Sequence, residues 1–145
     1  METKAIGIAS DHAGFKIKKR LIDWMRAEGI AYKDFGTYSE ESVDYPDFGH
    51  ALALAVENGE YYPGIAVCGS GNGINMVLNK HQNIRAALCW TPEAAMLAKA
   101  HNNANVVSLP GRFLTEKEAV EIVSAFLKTS FEGGRHLRRI EKIKI

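Results

Sequence analysis

The stretch Gly64-Ile65-Ala66-Val67-Cys68-Gly69-Ser70-Gly71-Asn72-Gly73 decides the fold, because an apolar run of strand length passes without a break into alternating glycines. Such a junction predicts a buried strand, a tight turn and the start of a helix. Glycines let the main chain approach a ligand closely, and the first N–H groups of the following helix present partial positive charge to an anion. Cys68 closes the strand beside these donors. A free thiol ionises with a pKa of roughly 8.5 and more easily at a helix N-terminus, so the junction predicts a proton-transfer base next to an anion-stabilising loop.

Working outward, apolar runs of strand length recur over residues 5–9, 31–35, 65–68, 85–89 and 105–109, with segments of helical period between them. In the first such segment Ile17, Leu21 and Trp24 share a face while Lys16, Lys19 and Arg20 point elsewhere, and Gly29 is a stop. Thr91-Pro92 places an N-cap before a proline at the first helical position, and Thr115 with Glu118 has the spacing of a capping box. Strands alternating with helices predict an α/β protein, a three-layer α/β/α Rossmann-like fold with a five-stranded, mostly parallel sheet. The basic tail from Gly133 is expected to follow a sixth helical stretch and to pack across the domain or, as a helix, onto a partner subunit. No repeat, low-complexity tract or linker interrupts the chain, so residues 1–145 are expected to form one domain.

The 145 residues are 46% hydrophobic, enough for a core that needs no metal or disulfide staple. A formal charge of +1 gives no global field toward nucleic acid or an anionic membrane surface. No apolar stretch approaches the length of a membrane span, and Met1-Glu2-Thr3-Lys4 leads straight into a strand-like run, so a soluble, unexported, cytoplasmic protein is expected. Two cysteines are too few for a disulfide framework, and buried reduced thiols are the plain reading of both Cys68 and Cys89. There is no Cys-x-x-Cys, and the five histidines show no metal-ligand spacing, so no metal site is expected.

In parallel sheets ligands bind beyond the C-terminal ends of the strands, which directs attention to Asp11, His12, residues 68–73, Trp90 and Arg112. The glycine loop is not a dinucleotide fingerprint, since Gly-x-Gly-x-x-Gly would need a glycine at Ile74. It lacks the Gly-Lys-Ser/Thr of a P-loop, and Ser70 is preceded two residues earlier by Cys68 rather than by the glycine of a hydrolase elbow. A tight turn without function is the remaining alternative. Asp11-His12 reads either as a ligand contact or as a solvated loop pair. His101-Asn102-Asn103 ends a helix, where such residues serve as caps, although His101 can also exchange protons near neutral pH. Arg135 and Arg139 stand one helical turn apart and can address one anion, a phosphate monoester in preference to nucleic acid, because the basic cluster is small and carries no interleaved aromatic platform.

With these residues assembled, the chain resembles the type B ribose-5-phosphate isomerases, a family that also holds galactose-6-phosphate and allose-6-phosphate isomerases. The resemblance is carried by Ser10-Asp11-His12-Ala13-Gly14-Phe15, Asp44-Tyr45-Pro46, Cys68-Gly69-Ser70-Gly71-Asn72-Gly73-Ile74, Asn79-Lys80, Arg85-Ala86, His101-Asn102 and Gly133-Gly134-Arg135-His136. It implies aldose–ketose isomerisation of a phosphorylated sugar through an enediolate, without metal or organic cofactor. It assigns Cys68 as the base, the amides of Gly69, Ser70, Gly71, Asn72 and Gly73 as oxyanion donors, and His101 as the acid that opens the furanose ring. Asp11 and Tyr45 fall near sugar hydroxyls, Asn102 contacts substrate, and His12, Arg112, Arg135 and Arg139 match anion-binding and substrate-binding positions. It further implies a homodimer or homotetramer whose active sites are shared between subunits.

The chain departs from the family pattern at Asn103, where many relatives have aspartate, and at Asn72, where the loop position is often apolar. Asn75 stands where some relatives carry a glutamate base, which leaves Cys68 as the only obvious base. Trp90 is bulky enough to narrow a sugar pocket and so bears on five-carbon against six-carbon substrates. A ribose-5-phosphate isomerase is the leading expectation. An allose- or galactose-6-phosphate isomerase is the neighbouring one, and a non-catalytic sugar-phosphate or nucleotide binding module is the alternative of a different class.

Overall fold

Strands and helices alternate along the computed structural model, which describes residues 3–145; the reading of Met1 and Glu2 lies outside the described residues. In chain order they are β1 (Ile6–Ser10), α1 (Phe15–Ala27), β2 (Tyr32–Asp34), α2 (Tyr45–Glu57), β3 (Gly64–Cys68), α3 (Asn72–Leu78), β4 (Ala86–Leu88), α4 (Pro92–Asn102), β5 (Val106–Pro110), α5 (Glu116–Lys128) and α6 (Arg135–Glu141). The strands form one sheet in the order β2-β1-β3-β5-β4, and every pairing is parallel, where the sequence predicts a mostly parallel sheet. The inner strands β1, β3 and β5 are buried throughout, as their unbroken apolar runs require. The edge strands β2 and β4 keep only three residues each of the five expected, since each has one neighbour to hold its ends.

Helices α1, α4 and α5 cover one face, where Ile17, Leu21, Met25, Ala95, Ala98, Ile122 and Phe126 pack on Ile6, Ile8, Ile65 and Val107. Helices α2 and α3 cover the other, with Leu52, Val56, Ile74 and Leu78 against Ala9, Ala66 and Val106. The expected caps form. Thr91 Oγ1 accepts from the N–H of Ala94 at 3.1 Å, and Thr115 and Glu118 complete a reciprocal box at 3.0 and 2.9 Å. The apolar stripe of α1 carries one residue outside a hydrophobic reading, the fully buried Lys18. Its ammonium donates to Asp34 Oδ1 at 2.7 Å and to the Thr37 carbonyl, which compensates the buried charge and ties the end of β2 to α1.

The tail departs from expectation in one respect: α6 lies inside the basic segment, and five helices precede it instead of six. Within the chain α6 packs on α4. Among the described residues no helix is long and apolar enough to cross a membrane. What positions a site is the strand order. β1 and β3 are neighbours, but β2 lies to one side of the pair while β5 and β4 lie to the other. The loops after β1 and β3 therefore leave the same edge and diverge, opening a crevice at the switch point.

Candidate active site

Cys68 ends β3 at that crevice and is 4% exposed. Its carbonyl accepts from the N–H of Gly111 at 2.8 Å, and the Gly69 carbonyl accepts from the N–H of Arg112 at 2.9 Å, so the turn after β5 is bonded onto the glycine loop. The Arg112 guanidinium lies over Gly69, where a Cβ would stand 3.0 Å from Nε. Gly71 takes φ +78 as the N-cap of α3, a left-handed conformation that glycine adopts without strain. At Gly73 a Cβ would meet the Tyr45 ring at 2.6 Å, so the absence of a side chain is what lets the first residue of α2 close over the loop.

The loop donors are not all equivalent, as the sequence reading took them to be. The N–H of Asn72 is occupied by Ser70 Oγ at 3.2 Å. Among the described residues the N–H groups of Gly69, Ser70, Gly71 and Gly73 have no protein acceptor. From the other side of the crevice, Asp11 is buried, its N–H donates to the Val67 carbonyl at 3.2 Å, and its Oδ1 accepts from the N–H of Gly14 at 3.0 Å. His12 Nδ1 accepts from the N–H of Val43 at 3.1 Å, which in the neutral ring places the proton on Nε2 as a donor. Trp90 and Phe113, both exposed, pack against each other with centroids 5.0 Å apart at the ends of β4 and β5. Phe113 was not singled out from sequence, since nothing local marks an aromatic one residue past Arg112. Cys89 is the structural thiol expected of it: burial pushes its pKa up to about 11.

The remaining predicted residues gather elsewhere. α4 starts beyond the C-terminal end of β4 and its 11 residues run back about 16 Å along the sheet, so His101 emerges at the opposite edge from Cys68. Arg85, just before β4, fixes that corner by donating to the carbonyls of Asn102 at 3.2 Å and Asn103 at 3.1 and 2.9 Å. Asn103 is the left-handed C-cap at φ 46, so its side chain is chosen by backbone conformation as well as by any site. The His101 ring stacks on that of His136 with centroids 4.3 Å apart and planes at 12°, and Glu132 lies 3.8 Å from His101 Nε2 and 3.5 Å from His136 Nε2. Arg135 and Arg139 are exposed on α6 beside this cluster. Among the described residues none of Arg112, Arg135 and Arg139 has a carboxylate partner, which leaves three guanidinium groups available to an anion. The structure thus assembles Cys68, residues 69–73, Asp11, His12, Tyr45 and Arg112 at one edge, and His101, Asn102, Arg135 and Arg139 at the other. Glu132 and the pairing of His136 with His101 were missed from sequence, because histidines 35 positions apart meet only through the packing of α6 on α4.

Comparison with known proteins gives the family of the chain. A family profile described as Ribose/Galactose Isomerase matches residues 6–143. A protein of Mycoplasma genitalium named probable ribose-5-phosphate isomerase B is 44% identical over 140 residues, covering 95% of this chain and 92% of the relative. A ribose 5-phosphate isomerase structure from Thermotoga maritima superposes with a TM-score of 0.96 at 47% identity, covering 99% of both chains. A Mycoplasma genitalium ribose-5-phosphate isomerase B structure with bound ribulose 5-phosphate gives 0.92 at 41% identity, covering 99% of this chain and 95% of that one.

Proposed function

The chain belongs to the ribose/galactose isomerase family, and from that premise we propose that it interconverts D-ribose 5-phosphate and D-ribulose 5-phosphate through an enediolate, with no metal or organic cofactor. The Cys68 thiolate takes the proton from C2 of the open-chain aldose and returns it to C1, while the hydroxyl proton of O2 is given up and O1 gains one, which leaves the carbonyl at C2. The free N–H groups of the loop, from Gly69, Ser70, Gly71 and Gly73, serve the oxygen on which negative charge develops, a well-placed donor being worth roughly 3 kcal/mol in the transition state. The bond from the Asn72 N–H to Ser70 Oγ holds that turn in shape. Asp11 and Tyr45 orient the sugar hydroxyls, and His12 Nε2–H and Arg112 bind the substrate from the two sides of the crevice.

Ring opening needs a proton on the furanose oxygen, the task assigned to His101, with Asn102 against the substrate and Arg135 and Arg139 on its phosphate. These groups lie at the far edge of their own sheet. The reading therefore makes the protein a homodimer or homotetramer of single-domain chains, in which one chain's Cys68 edge receives the His101 edge of a second copy, with α6 packed at that junction. A soluble cytoplasmic enzyme of the pentose phosphate pathway is the setting this chemistry fits.

The observation that carries the proposal is the buried Cys68 at the switch point beside the unengaged N–H groups of the glycine loop and the unpaired guanidinium of Arg112. The test is isomerisation followed by NMR with ribose 5-phosphate, allose 6-phosphate and galactose 6-phosphate side by side, with and without a chelator. Chelator-resistant turnover of the pentose supports the assignment. Preference for a hexose phosphate keeps the chemistry and changes the substrate, with the Trp90–Phe113 pair as the wall that accommodates it. No turnover of any of the three favours a non-catalytic sugar-phosphate binding module.

A further inference from the structure

The rings of His101 and His136 lie face to face, with centroids 4.3 Å apart and planes at 12°. A single oxygen of Glu132, Oε1, stands beside the edge of this stack, 3.8 Å from His101 Nε2 and 3.5 Å from His136 Nε2. The backbone fixes the arrangement. The N–H of Glu132 donates to the Ala100 carbonyl at 3.0 Å, one residue before His101, and α6 carries His136 onto the same corner. His136 is 7% exposed and forms a fixed wall, whereas the His101 side chain is 38% exposed and can be reached by a ligand.

The charge around the stack is one-sided. From α4 comes Lys99, turned to the Tyr62 hydroxyl, and from α6 come Arg135 and Arg139. Arg85, just before β4, bonds the carbonyls of Asn102 and Asn103, and α5, which also packs on α4, ends in Lys128. Among the described residues Glu132 is the one carboxylate within ion-pair distance of either ring. Two imidazolium rings face to face repel, so the stack favours a single positive charge, and a carboxylate at its edge is what balances that charge among so many cations.

We propose that Glu132 is a positioning residue for ring opening: its carboxylate supplies the counter-charge that keeps a transferable proton on His101, while His136 fixes the plane of the His101 ring. In that step the C1–O4 bond of the furanose breaks with its electron pair going to O4, O4 takes the proton of His101, and the O1 hydroxyl gives its proton to water as the C1 carbonyl forms. His101 then regains a proton from water. Glu132 acts through His101 and touches no reacting atom. The assignment rests on the ring-opening role given to His101 under the proposed function.

The test separates ring opening from the proton transfer that follows it. Ribose 5-phosphate closes to a furanose in solution, whereas ribulose 5-phosphate stays open, because closure onto its C2 carbonyl would need the oxygen that carries the phosphate. Exchange of a C1 proton of ribulose 5-phosphate with heavy water, read by NMR, therefore reports enediolate formation without ring opening. In Glu132→Gln, kcat for ribose 5-phosphate should fall by about tenfold with KM not raised, while C1 exchange stays within about twofold of wild type. The side chain is 57% exposed and glutamine keeps its shape, so an unaltered thermal melt is expected, and Glu132→Ala should show the same split. Unchanged turnover in both variants, an equal fall in turnover and exchange, or a raised KM at unchanged kcat would each overturn the assignment. A wild-type protein that neither turns over the sugar phosphate nor exchanges the C1 proton would overturn it by a different route, by removing the enzymatic reading on which it rests.

Discussion

Cys68 and His101 stand at opposite edges of one parallel sheet, the first at the C-terminal end of β3 and the second at the far end of α4, beside the start of β5. α4 alone separates the two levels by about 16 Å. A pentose phosphate bound at one cannot reach the other within the chain. In the proposed chemistry the functional pairing of these two residues joins two copies.

That relationship predicts complementation. Cys68→Ala and His101→Asn should each be inactive alone. After mixing under conditions that exchange subunits, half of the dimers pair one chain of each kind, and each of these contains one wholly native site, so activity should recover to about one quarter of the wild-type value. Sites confined to a single chain would give no recovery.

Gly73→Ala should separate stability from function. Alanine is favoured over glycine in a helix by up to about 1 kcal/mol, and the added Cβ meets only the half-exposed Tyr45 ring, which can swing outward. The thermal midpoint should hold or rise while KM for the sugar phosphate increases by about tenfold, equivalent to about 1.4 kcal/mol of lost binding. Gly71→Ala is the contrasting case. Its φ of +78 and a 2.4 Å approach to Leu88 predict a loss of at least about 1–2 kcal/mol in denaturant unfolding.

Lys99 gives a pH-dependent prediction. It is buried, donates to the Tyr62 hydroxyl and lies over the rings of Tyr62 and Phe126 at 4.4 and 5.3 Å, and burial holds its pKa below the ordinary 10.5. Below the folded-state pKa both states are protonated and the fold bears the whole cost of burying the charge. As pH rises through the folded-state value toward 10.5 the unfolded chain binds more protons, so stability increases and the cost disappears. Lys99→Met should therefore melt higher than wild type at pH 7, with the difference shrinking as pH approaches 10. A difference independent of pH would show that packing, and not charge, sets the effect.

Much of the fold could be read from particular residues. The apolar run before Gly69, the Thr91-Pro92 cap and the Thr115/Glu118 box each act within a few positions, and each forms where it was expected. Lys18 was not legible, because its burial depends on Asp34 and Thr37, which arrive from β2 and the turn after it. The Cys68 half of the candidate site was legible because strand ends in a parallel sheet share one edge. His101 and His136 were legible only singly and Glu132 not at all; their convergence depends on how α6 packs on α4. The split between the two edges follows from the direction of α4, a property of topology that no local spacing encodes.

The central claim is that Cys68 carries the proton between C2 and C1. The most direct test compares wild type with Cys68→Ala for turnover of ribose 5-phosphate and for deuterium wash-in at the substrate carbon in heavy water, alongside substrate binding by calorimetry. The account predicts that the variant binds sugar phosphate with nearly unchanged affinity while turnover and deuterium incorporation both vanish. Retained turnover or retained carbon-bound exchange in a variant without this thiol would contradict it.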